Sequence, residues 1–198
     1  MNLVHRCICS SARWKHSLQS DVLPWALDGL DLGAELLEIG PGYGAATELL
    51  HKRVGRLTCV EVDPKLAGDL REAMRGQNVT VMQEDATATS LPGGVFDAAV
   101  CFTMLHHVPS PSLQDRLLAE AFRLLKPGGV FAGTDSLDGR VFRFLHLFDT
   151  LVVVDPGTLP ARLTHAGFEN VHVDTNSHAF RFRARKPLTA VPSAPAES

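Results

Sequence analysis

Residues 36–44 have the sequence Leu-Leu-Glu-Ile-Gly-Pro-Gly-Tyr-Gly, and this stretch decides the fold. The apolar run Leu36–Ile39 predicts a buried strand, and glycine then occupies every second position from Gly40 to Gly44. Glycine allows a bound ligand to approach the backbone closely. The stretch therefore predicts a strand, a ligand-binding loop and a helix that begins directly afterwards. A tight turn without a ligand is the alternative interpretation.

Length and composition indicate one globular domain. The chain has 198 residues, of which 45% are hydrophobic and 21% charged, with a net charge of −3. A mildly acidic balance argues against a nucleic-acid-binding domain. No apolar run approaches the roughly 18 residues of a membrane span, and no apolar segment at the N-terminus suggests a signal peptide. The four cysteines form no CxxC pair, so we expect a reduced, soluble, cytoplasmic protein.

Short apolar runs alternate with amphipathic stretches from residue 34 to about residue 135. Near-continuous apolar strands between helices predict an α/β fold with a parallel sheet covered on both faces. The predicted strands are Leu36–Ile39, Leu57–Val62, Val79–Gln83, Phe96–Phe102 and Val130–Thr134. The predicted helices are Ala45–Lys52, Pro64–Arg75 and Leu113–Leu125, and the last of these ends in a turn at Lys126–Gly129.

The last third of the chain has a different pattern. It predicts helices at Val141–Val152 and Leu159–Ala166, then a strand pair at Val171–Asp174 and Ala179–Ala184. The alternating charges of Arg181–Lys186 are typical of a half-exposed edge strand. The tail from Pro187 onwards is rich in proline and predicts disorder.

Two carboxylates discriminate between the ligands that such a glycine loop can bind. Glu61 ends the second predicted strand, where it is positioned to accept hydrogen bonds from a ribose diol. Glu38, just before the loop, would repel a pyrophosphate but suits a ligand with an ammonium group. The only tyrosine is Tyr43, and Thr47 stands four residues later, so the Tyr-x-x-x-Lys pair of nicotinamide reductases is absent. S-adenosylmethionine is therefore favoured over a nicotinamide dinucleotide.

Several segments in order resemble the motifs of class I S-adenosylmethionine-dependent methyltransferases, over about residues 30 to 186. Leu36–Gly44 resembles the first motif, E/D-x-G-x-G-x-G, and Val60–Pro64 the acidic motif of the second strand. Further similar segments are Glu84–Ala86, Phe96–Val100 with Leu105–Val108, Leu124–Val130 and Ala166–Phe168.

The resemblance implies a Rossmann-like three-layer α/β sandwich. Its seven-stranded, mostly parallel sheet would have the order 3-2-1-4-5-7-6, with strand 7 antiparallel. Residues 1–30 would form an N-terminal helical lid, residues 31–186 the methyltransferase domain and residues 187–198 a disordered tail.

The resemblance also implies S-adenosylmethionine as cofactor and S-adenosylhomocysteine as product. Tyr43 would close over the cofactor, Glu38 would lie near its methionine amino end, and Glu61 would accept from its ribose hydroxyls. The loop glycines that would line the methionine and ribose portions are Gly40, Gly42 and Gly44.

The same resemblance extends to the adenine and methionine contacts. Val62 would pack on adenine, Asp85 would accept from its amino group, and the Ala86 amide would face a ring nitrogen. Cys101 and Phe102 would lie along the methionine moiety through backbone contacts. The alternatives are that Glu61 is an ordinary acid at a strand end and Asp85 a plain turn residue.

Methyl transfer requires little from catalytic side chains, because the sulfonium carries its own leaving group. Alignment and exclusion of water dominate, and a general base is needed only when the acceptor must lose a proton. His106 and His107 follow the fourth strand and are the candidate bases. Since adjacent side chains point in different directions, at most one is expected to face the pocket, and a structural role is the alternative. Asp135, which ends the fifth strand, is a candidate for the pocket wall.

The N-terminal segment is expected to act as a lid rather than as a metal centre. Its candidate ligands, His5, Cys7 and Cys9, lack a second pair of soft ligands, so no metal site is predicted. Trp14 is expected to pack on the domain, and Arg13 or Ser11 to reach the cofactor's carboxylate. Trp25 is expected in the core.

The amphipathic stretch Arg140–Thr150 leaves three interpretations open: packing on the sheet, an apolar acceptor pocket or a dimer face. Cys101–Met104 stands where nucleic-acid amino methyltransferases have Asn/Asp-Pro-Pro-Tyr/Phe. We therefore expect a small-molecule acceptor, no nucleic-acid or membrane partner, and a monomer or homodimer. The rival interpretations are a protein that binds the cofactor without turnover and a nicotinamide-dependent reductase.

Overall fold

The computed structural model describes residue 7 and residues 10–188. His5 and Cys9, the candidate ligands considered for a metal site that was not predicted, and residues 189–198 of the predicted tail lie outside this part. The strands are β1 Glu35–Ile39, β2 Arg56–Glu61, β3 Val79–Gln83, β4 Phe96–Phe102, β5 Leu125–Ser136, β6 Glu169–Thr175 and β7 Ala179–Arg185. They form one seven-stranded sheet in the order β3-β2-β1-β4-β5-β7-β6, with β7 antiparallel to both neighbours. The expected strand order is confirmed.

The helices lie between these strands and on the N-terminal side of β1. They are α1 Ala12–Ser17, α2 Leu23–Leu27, α3 Thr47–Leu50, α4 Pro64–Ala73, α5 Pro111–Leu124, α6 Arg140–Leu145 and α7 Leu159–His165. A π-helical segment, Leu18–Val22, joins α1 to α2, and a 3₁₀ turn, Leu105–His107, follows β4. Within the described residues, no helix has the length and apolar character needed to cross a membrane.

Each face of the sheet carries its own hydrophobic core. Alternate side chains of a strand point to opposite faces, so Leu37 and Ile39 of β1 pack with α5 and α7, whereas Leu36 packs with α1 to α4. β4 divides its apolar side chains in the same way. The expected three-layer α/β sandwich is therefore confirmed.

The predicted helix Val141–Val152 is wrong beyond its first turn and a half. Helix α6 ends at Leu145, and Phe148 has a left-handed backbone with φ of 63°. None of the α6 residues is buried, so the segment lacks the packed apolar face that stabilises most short helices.

The predicted edge strand at Arg181–Lys186 is also wrong, because β7 lies between β5 and β6. Two of its arginines contact carbonyls of α2: Arg181 Nη1 donates to the Trp25 carbonyl at 2.6 Å, and Arg183 Nη2 lies 3.4 Å from the Ala26 carbonyl. Arg181 Nε also donates to Asp174 of β6 at 2.9 Å. Trp25 itself is half-buried beneath the Arg181 guanidinium, 5.4 Å from the ring centre, rather than in the core.

The predicted turn at Lys126–Gly129 is a bulge inside β5. Phe96 pairs with Leu125, but Ala98 pairs with Val130, so the residues between the two partners bulge out of the ladder. Strand β5 is consequently longer than predicted at both ends.

Asp97 ties the start of β1 to the neighbouring strands. Its Oδ2 accepts from the amides of Ala34 at 3.0 Å and Glu35 at 2.9 Å, and its Oδ1 accepts from Lys126 Nζ at 2.5 Å. Burial raises the pKa of Asp97, but these hydrogen bonds outweigh it and hold the pKa below its usual value. Asp97 therefore has a structural role at this end of the sheet.

We predict that Asp97→Asn lowers the free energy of unfolding at pH 7 by ~1–3 kcal/mol, because three donors lose a charged acceptor. The wild-type advantage is present above the unfolded pKa of about 3.9 and disappears as the pH falls through the lower folded value. Urea unfolding at pH 7 and pH 3 measures both effects. The control Asp69→Asn breaks an exposed pair with Lys65 and is expected to cost ~0.5 kcal/mol or less. Equal losses in both variants would contradict the assignment.

Candidate active site

The carboxyl ends of three parallel strands meet at one edge of the sheet. Ile39 of β1 pairs with Val60 of β2 and with Cys101 of β4, so the residues that follow these strands are neighbours. The Gly40 amide donates to the Val60 carbonyl at 2.9 Å and turns the chain away from the sheet. In open α/β sheets ligands bind at this edge.

The backbone conformation of the loop favours glycine at three positions, since Gly40, Gly42 and Gly44 have φ of 65°, 55° and 75°. A side chain at Gly40 would also lie 3.0 Å from Met104, and one at Gly44 only 2.5 Å from Leu70. At Gly42 no atom lies within 4 Å of the position a side chain would take. The loop is thus packed at its two ends and open in its middle.

Glu61 holds the open middle of the loop. Its Oε2 accepts from the Gly42 amide at 3.0 Å, and its Oε1 accepts from the Asp63 amide at 3.0 Å. Glu61 is only 6% exposed. Each carboxylate oxygen has further lone-pair capacity, so Glu61 can position the loop and still accept from a ligand.

Glu38 is a buried acid behind the loop, 2% exposed. Burial raises its pKa to about 7, although hydrogen bonds from Thr47 Oγ1 at 2.7 Å and Cys59 Sγ at 3.5 Å partly oppose this, and the nearby charge of Glu61 adds to it. The carboxyl group is therefore poised between its two protonation states near neutral pH.

A cavity of about 430 Å³ opens at this edge, within the usual size range of ligand pockets. Most of the predicted cofactor residues line it, namely Glu38, Gly40, Gly42, Tyr43, Glu61, Val62, Asp85, Ala86 and Phe102. Gly44 is not part of the wall, and Cys101 belongs to the hydrophobic core beneath it. Nine of the eleven cofactor residues that the resemblance implied therefore lie on this wall, which also includes residues that were not predicted.

The two predicted histidines separate. His107 lines the cavity, whereas His106 is 3% exposed and lies in the interior. The His106 amide donates to Asp135 Oδ2 at 3.0 Å, and its Nδ1 lies 2.5 Å from Asp135 Oδ1. The prediction that Asp135 lines the pocket is wrong, because this residue is fully buried against His106.

Sequence reasoning missed other residues of the cavity wall, among them Thr103, Met104, Asp149 and Thr150. Thr103 has φ of 51°, a conformation that costs energy for a non-glycine residue and is common at functional sites. Its amide donates to the Thr134 carbonyl at 2.8 Å, which holds the strained turn in place. The position of Thr103 directly after β4 was the only feature of the sequence that could have identified it.

The sequence also gave no reason to join His146 to His106. Its Nε2 lies 3.1 Å from His106 Nε2, and its Nδ1 lies 2.8 Å from the Phe142 carbonyl. Burial lowers the pKa of His146, despite the opposing hydrogen bond to Phe142. The contact is possible because α6 ends at Leu145. It was missed because the sequence predicted a continuous helix through this segment.

The N-terminal helices cover one side of the cavity. Trp14 of α1 and Leu18 of the π-helical segment line it. Ser11 is occupied as the cap of α1, where its Oγ accepts from the Trp14 amide at 3.1 Å. Arg13 is exposed and does not line the cavity.

Comparisons with known proteins agree with this geometry. A family model described as a methyltransferase domain matches residues 37–133. The N-methyltransferase NodS of Bradyrhizobium japonicum WM9, solved with S-adenosyl-l-homocysteine, has a TM-score of 0.70 at 19% identity, covering 90% of each chain. Residues 37–133, just under half of the chain, thus match a methyltransferase domain, and the fold of the chain is similar to that of NodS.

Two other similar proteins limit what these similarities imply about function. The ubiquinone biosynthesis O-methyltransferase of Pseudomonas fluorescens (strain Pf0-1) is 29% identical over 150 residues, which are 72% of this chain and 63% of that protein. The chain thus spans less than two thirds of that relative's length. The 4+2 cyclase SpnF has a TM-score of 0.68 at 19% identity, covering 86% of this chain and 81% of its own.

We predict that Glu38→Gln makes the stability of this protein less dependent on pH. With a pKa of about 7 against 4.5, folded Glu38 keeps a proton that the unfolded chain has released between these values. The free energy of unfolding of the wild-type protein therefore falls as the pH rises between these two values. Relative to wild type, the free energy of unfolding of Glu38→Gln is expected to rise by ~2–3 kcal/mol from pH 5 to pH 8.

Urea unfolding across this pH range measures the difference between variant and wild type. Glu72→Gln, at an exposed position on α4, is the control and should show no such trend. Parallel pH profiles for Glu38→Gln and wild type would show that burial does not perturb this carboxyl group.

Proposed function

We propose that this protein transfers a methyl group from S-adenosylmethionine to a small-molecule acceptor. The observation that carries the proposal is one cavity lined both by the glycine loop with Glu61 and by His107 after β4. When bound, S-adenosylmethionine supplies a sulfonium whose methyl group is open to attack by an acceptor nucleophile. The first part of the wall suits the cofactor, and the second lies where an acceptor can approach it.

Three features of the cavity wall favour binding of this cofactor. Gly42 leaves open space beside Glu61, whose oxygens can accept from a ribose diol. Val62, at 64% exposure, offers an apolar surface to adenine. Asp85 Oδ1 already accepts from the Thr87 amide at 2.8 Å, so we assign its Oδ2 to the adenine amino group, beside the amide of Ala86.

The remaining cofactor assignments concern the methionine portion. We assign Glu38 to the neighbourhood of its ammonium group, since a carboxylate there offsets a positive charge. Phe102 lies on the wall next to the loop and is assigned a contact with this portion. Cys101 can act only through its backbone, because its side chain is in the core.

Closure of the cavity is assigned to the N-terminal lid and to Tyr43. Trp14, Leu18 and Tyr43 line the same space. Excluding water and aligning the two reactants is the main contribution that a protein makes to this displacement. Of the two predicted histidines, His107 is assigned the contact with the acceptor, and His106 a positioning role.

The acceptor that we propose is an apolar molecule methylated on oxygen. Support comes from the relative named for ubiquinone biosynthesis O-methylation. It also comes from Val141, Phe144 and Phe148, which are exposed apolar residues just before Asp149 and Thr150 of the cavity wall. Because α6 buries none of its residues, packing on the sheet does not account for this segment.

Binding without turnover is the second candidate, and SpnF is the observation in its favour. That protein is a cyclase in name although its fold is similar, so the fold alone does not require methyl transfer. A nicotinamide-dependent reductase is the third candidate, but no Lys stands four residues after Tyr43.

We further propose a cytoplasmic protein that is a monomer or a homodimer, with no nucleic-acid or membrane partner. In the described part of the chain, Cys7, Cys59 and Cys101 are free thiols. Free cysteines are typical of reducing compartments.

We predict that Glu61→Ala weakens S-adenosylmethionine binding by about 5- to 150-fold, equal to ~1–3 kcal/mol, because the ribose hydroxyls lose their acceptor. Titration calorimetry with S-adenosylmethionine and NAD on the same preparation measures this affinity and separates the two cofactor classes. Glu72→Ala, on the surface, should bind as wild type does. Unchanged affinity in Glu61→Ala would place the ribose elsewhere, and binding of NAD alone would refute the proposal.

We predict that the wild-type protein forms S-adenosylhomocysteine when incubated with S-adenosylmethionine and apolar phenols or catechols. Matched methyl ethers, which have no free hydroxyl, serve as controls and should give no product. Amines and thiols of similar size test the choice of acceptor atom. Tight cofactor binding without product across the whole panel would support binding without turnover.

A further inference from the structure

Three histidines from two separate segments form a cluster beside the cavity. His106 and His107 lie on the 3₁₀ turn after β4, and His146 follows α6. Their ring centres are 4.2 Å apart for His106 and His107, 4.9 Å for His106 and His146, and 5.4 Å for His107 and His146. One ring nitrogen of each lies within 4.8 Å of the others.

The partners of two of these rings determine where their protons are. His106 Nδ1 lies 2.5 Å from the Asp135 carboxylate, and His146 Nδ1 lies 2.8 Å from the Phe142 carbonyl. A carboxylate and a carbonyl only accept hydrogen bonds, so both Nδ1 atoms must carry the proton. In neutral imidazoles both Nε2 atoms then carry lone pairs. These two atoms face each other at 3.1 Å.

Two lone pairs at this distance repel each other unless a positive centre lies beside both. That centre is either a proton, which would make one ring an imidazolium, or a metal ion. Nitrogens bound to one Zn²⁺ at ~2.0–2.1 Å with tetrahedral angles are separated by ~3.4 Å, close to the observed 3.1 Å. His107 adds a third imidazole, a donor that suits Zn²⁺.

We propose that His106, His107 and His146 bind one divalent transition-metal ion, with Zn²⁺ the best match to three imidazole ligands. The contacts of two ligands support this assignment. Metal-bound histidines usually donate their second ring N–H to a carboxylate or a backbone carbonyl, which fixes the ring and its tautomer. Asp135 provides the first kind of partner to His106, and the Phe142 carbonyl the second to His146.

Three protein ligands leave the fourth tetrahedral position to water or to a bound molecule, as in catalytic zinc sites. Because His107 lines the cavity, the ion would lie at the cavity wall. An acceptor hydroxyl on the ion would lose its proton more readily. The O–H bond would break and its proton would pass to water. The oxygen would use the retained electron pair to form a bond to the methyl carbon while the carbon–sulfur bond of S-adenosylmethionine breaks, its electron pair returns to sulfur and S-adenosylhomocysteine leaves. This role rests on the proposed function, whereas metal binding itself does not.

The experiment titrates ZnCl₂ into tag-free, chelator-treated and dialysed full-length protein, without cofactor, by calorimetry with a competing chelator. We expect one tight equivalent in wild type and in His172→Ala, which removes an exposed histidine on β6. His107→Ala and His146→Ala should each weaken Zn²⁺ binding by more than ~100-fold, and Asp135→Asn by ~10–100-fold. Co²⁺ titration should give a visible absorption band that the His107→Ala and His146→Ala variants lack.

Circular dichroism establishes that each variant is folded. Since His107 is partly exposed, His107→Ala keeps the test valid if a variant at a buried position unfolds. Absence of a tight Zn²⁺ equivalent in wild type, or equal Zn²⁺ affinity in wild type and His107→Ala, would overturn the proposal and leave the shared proton. Calorimetry with S-adenosylmethionine on the same preparation separates the two claims: Zn²⁺ binding without cofactor binding would leave the metal site standing and refute the proposed function.

Discussion

Strand β1 is the constraint on which the rest of the molecule depends. It pairs with β2 on one side and with β4 on the other, and its apolar side chains enter both cores. A strand enclosed in this way cannot shift by one residue without exchanging its two faces. The carboxyl ends of β1, β2 and β4 are thereby held at one edge, and the glycine loop and Glu61 meet there. The cavity is a consequence of this alignment.

The same enclosure explains why Glu38 is unusual. It lies on the face of β1 that also carries Leu36, and its hydrogen-bond donors, Thr47 and Cys59, lie on that face too. A buried carboxyl group resists ionisation, so its pKa rises to about 7. Acids with a strongly shifted pKa are common at ligand-binding sites, although their ionisation lowers the stability of the fold. Glu38 fits this pattern because it lines the cavity.

Most of the sheet could be predicted because its strands are buried on both faces and their apolar runs are nearly continuous. The errors lie where local pattern and tertiary contact disagree. Arg181 and Arg183 look like edge-strand charges, but both contact carbonyls of α2, and β7 is an inner strand. Phe148 looks like part of a helix, yet α6 ends before it, because no core packs against the segment.

The sequence by itself determined the order of the strands, the glycine loop and the acids at the strand ends, because these depend on local pattern and on motifs resembling one family. Only the tertiary structure decided which side chains face the cavity. His106 and His107 are adjacent in the chain, but His106 is hydrogen-bonded to buried Asp135, whereas His107 lines the cavity wall. His146 joins them because the bend after α6 brings it within 3.1 Å of His106. Such contacts depend on the three-dimensional path of the chain, and no periodicity along it encodes them.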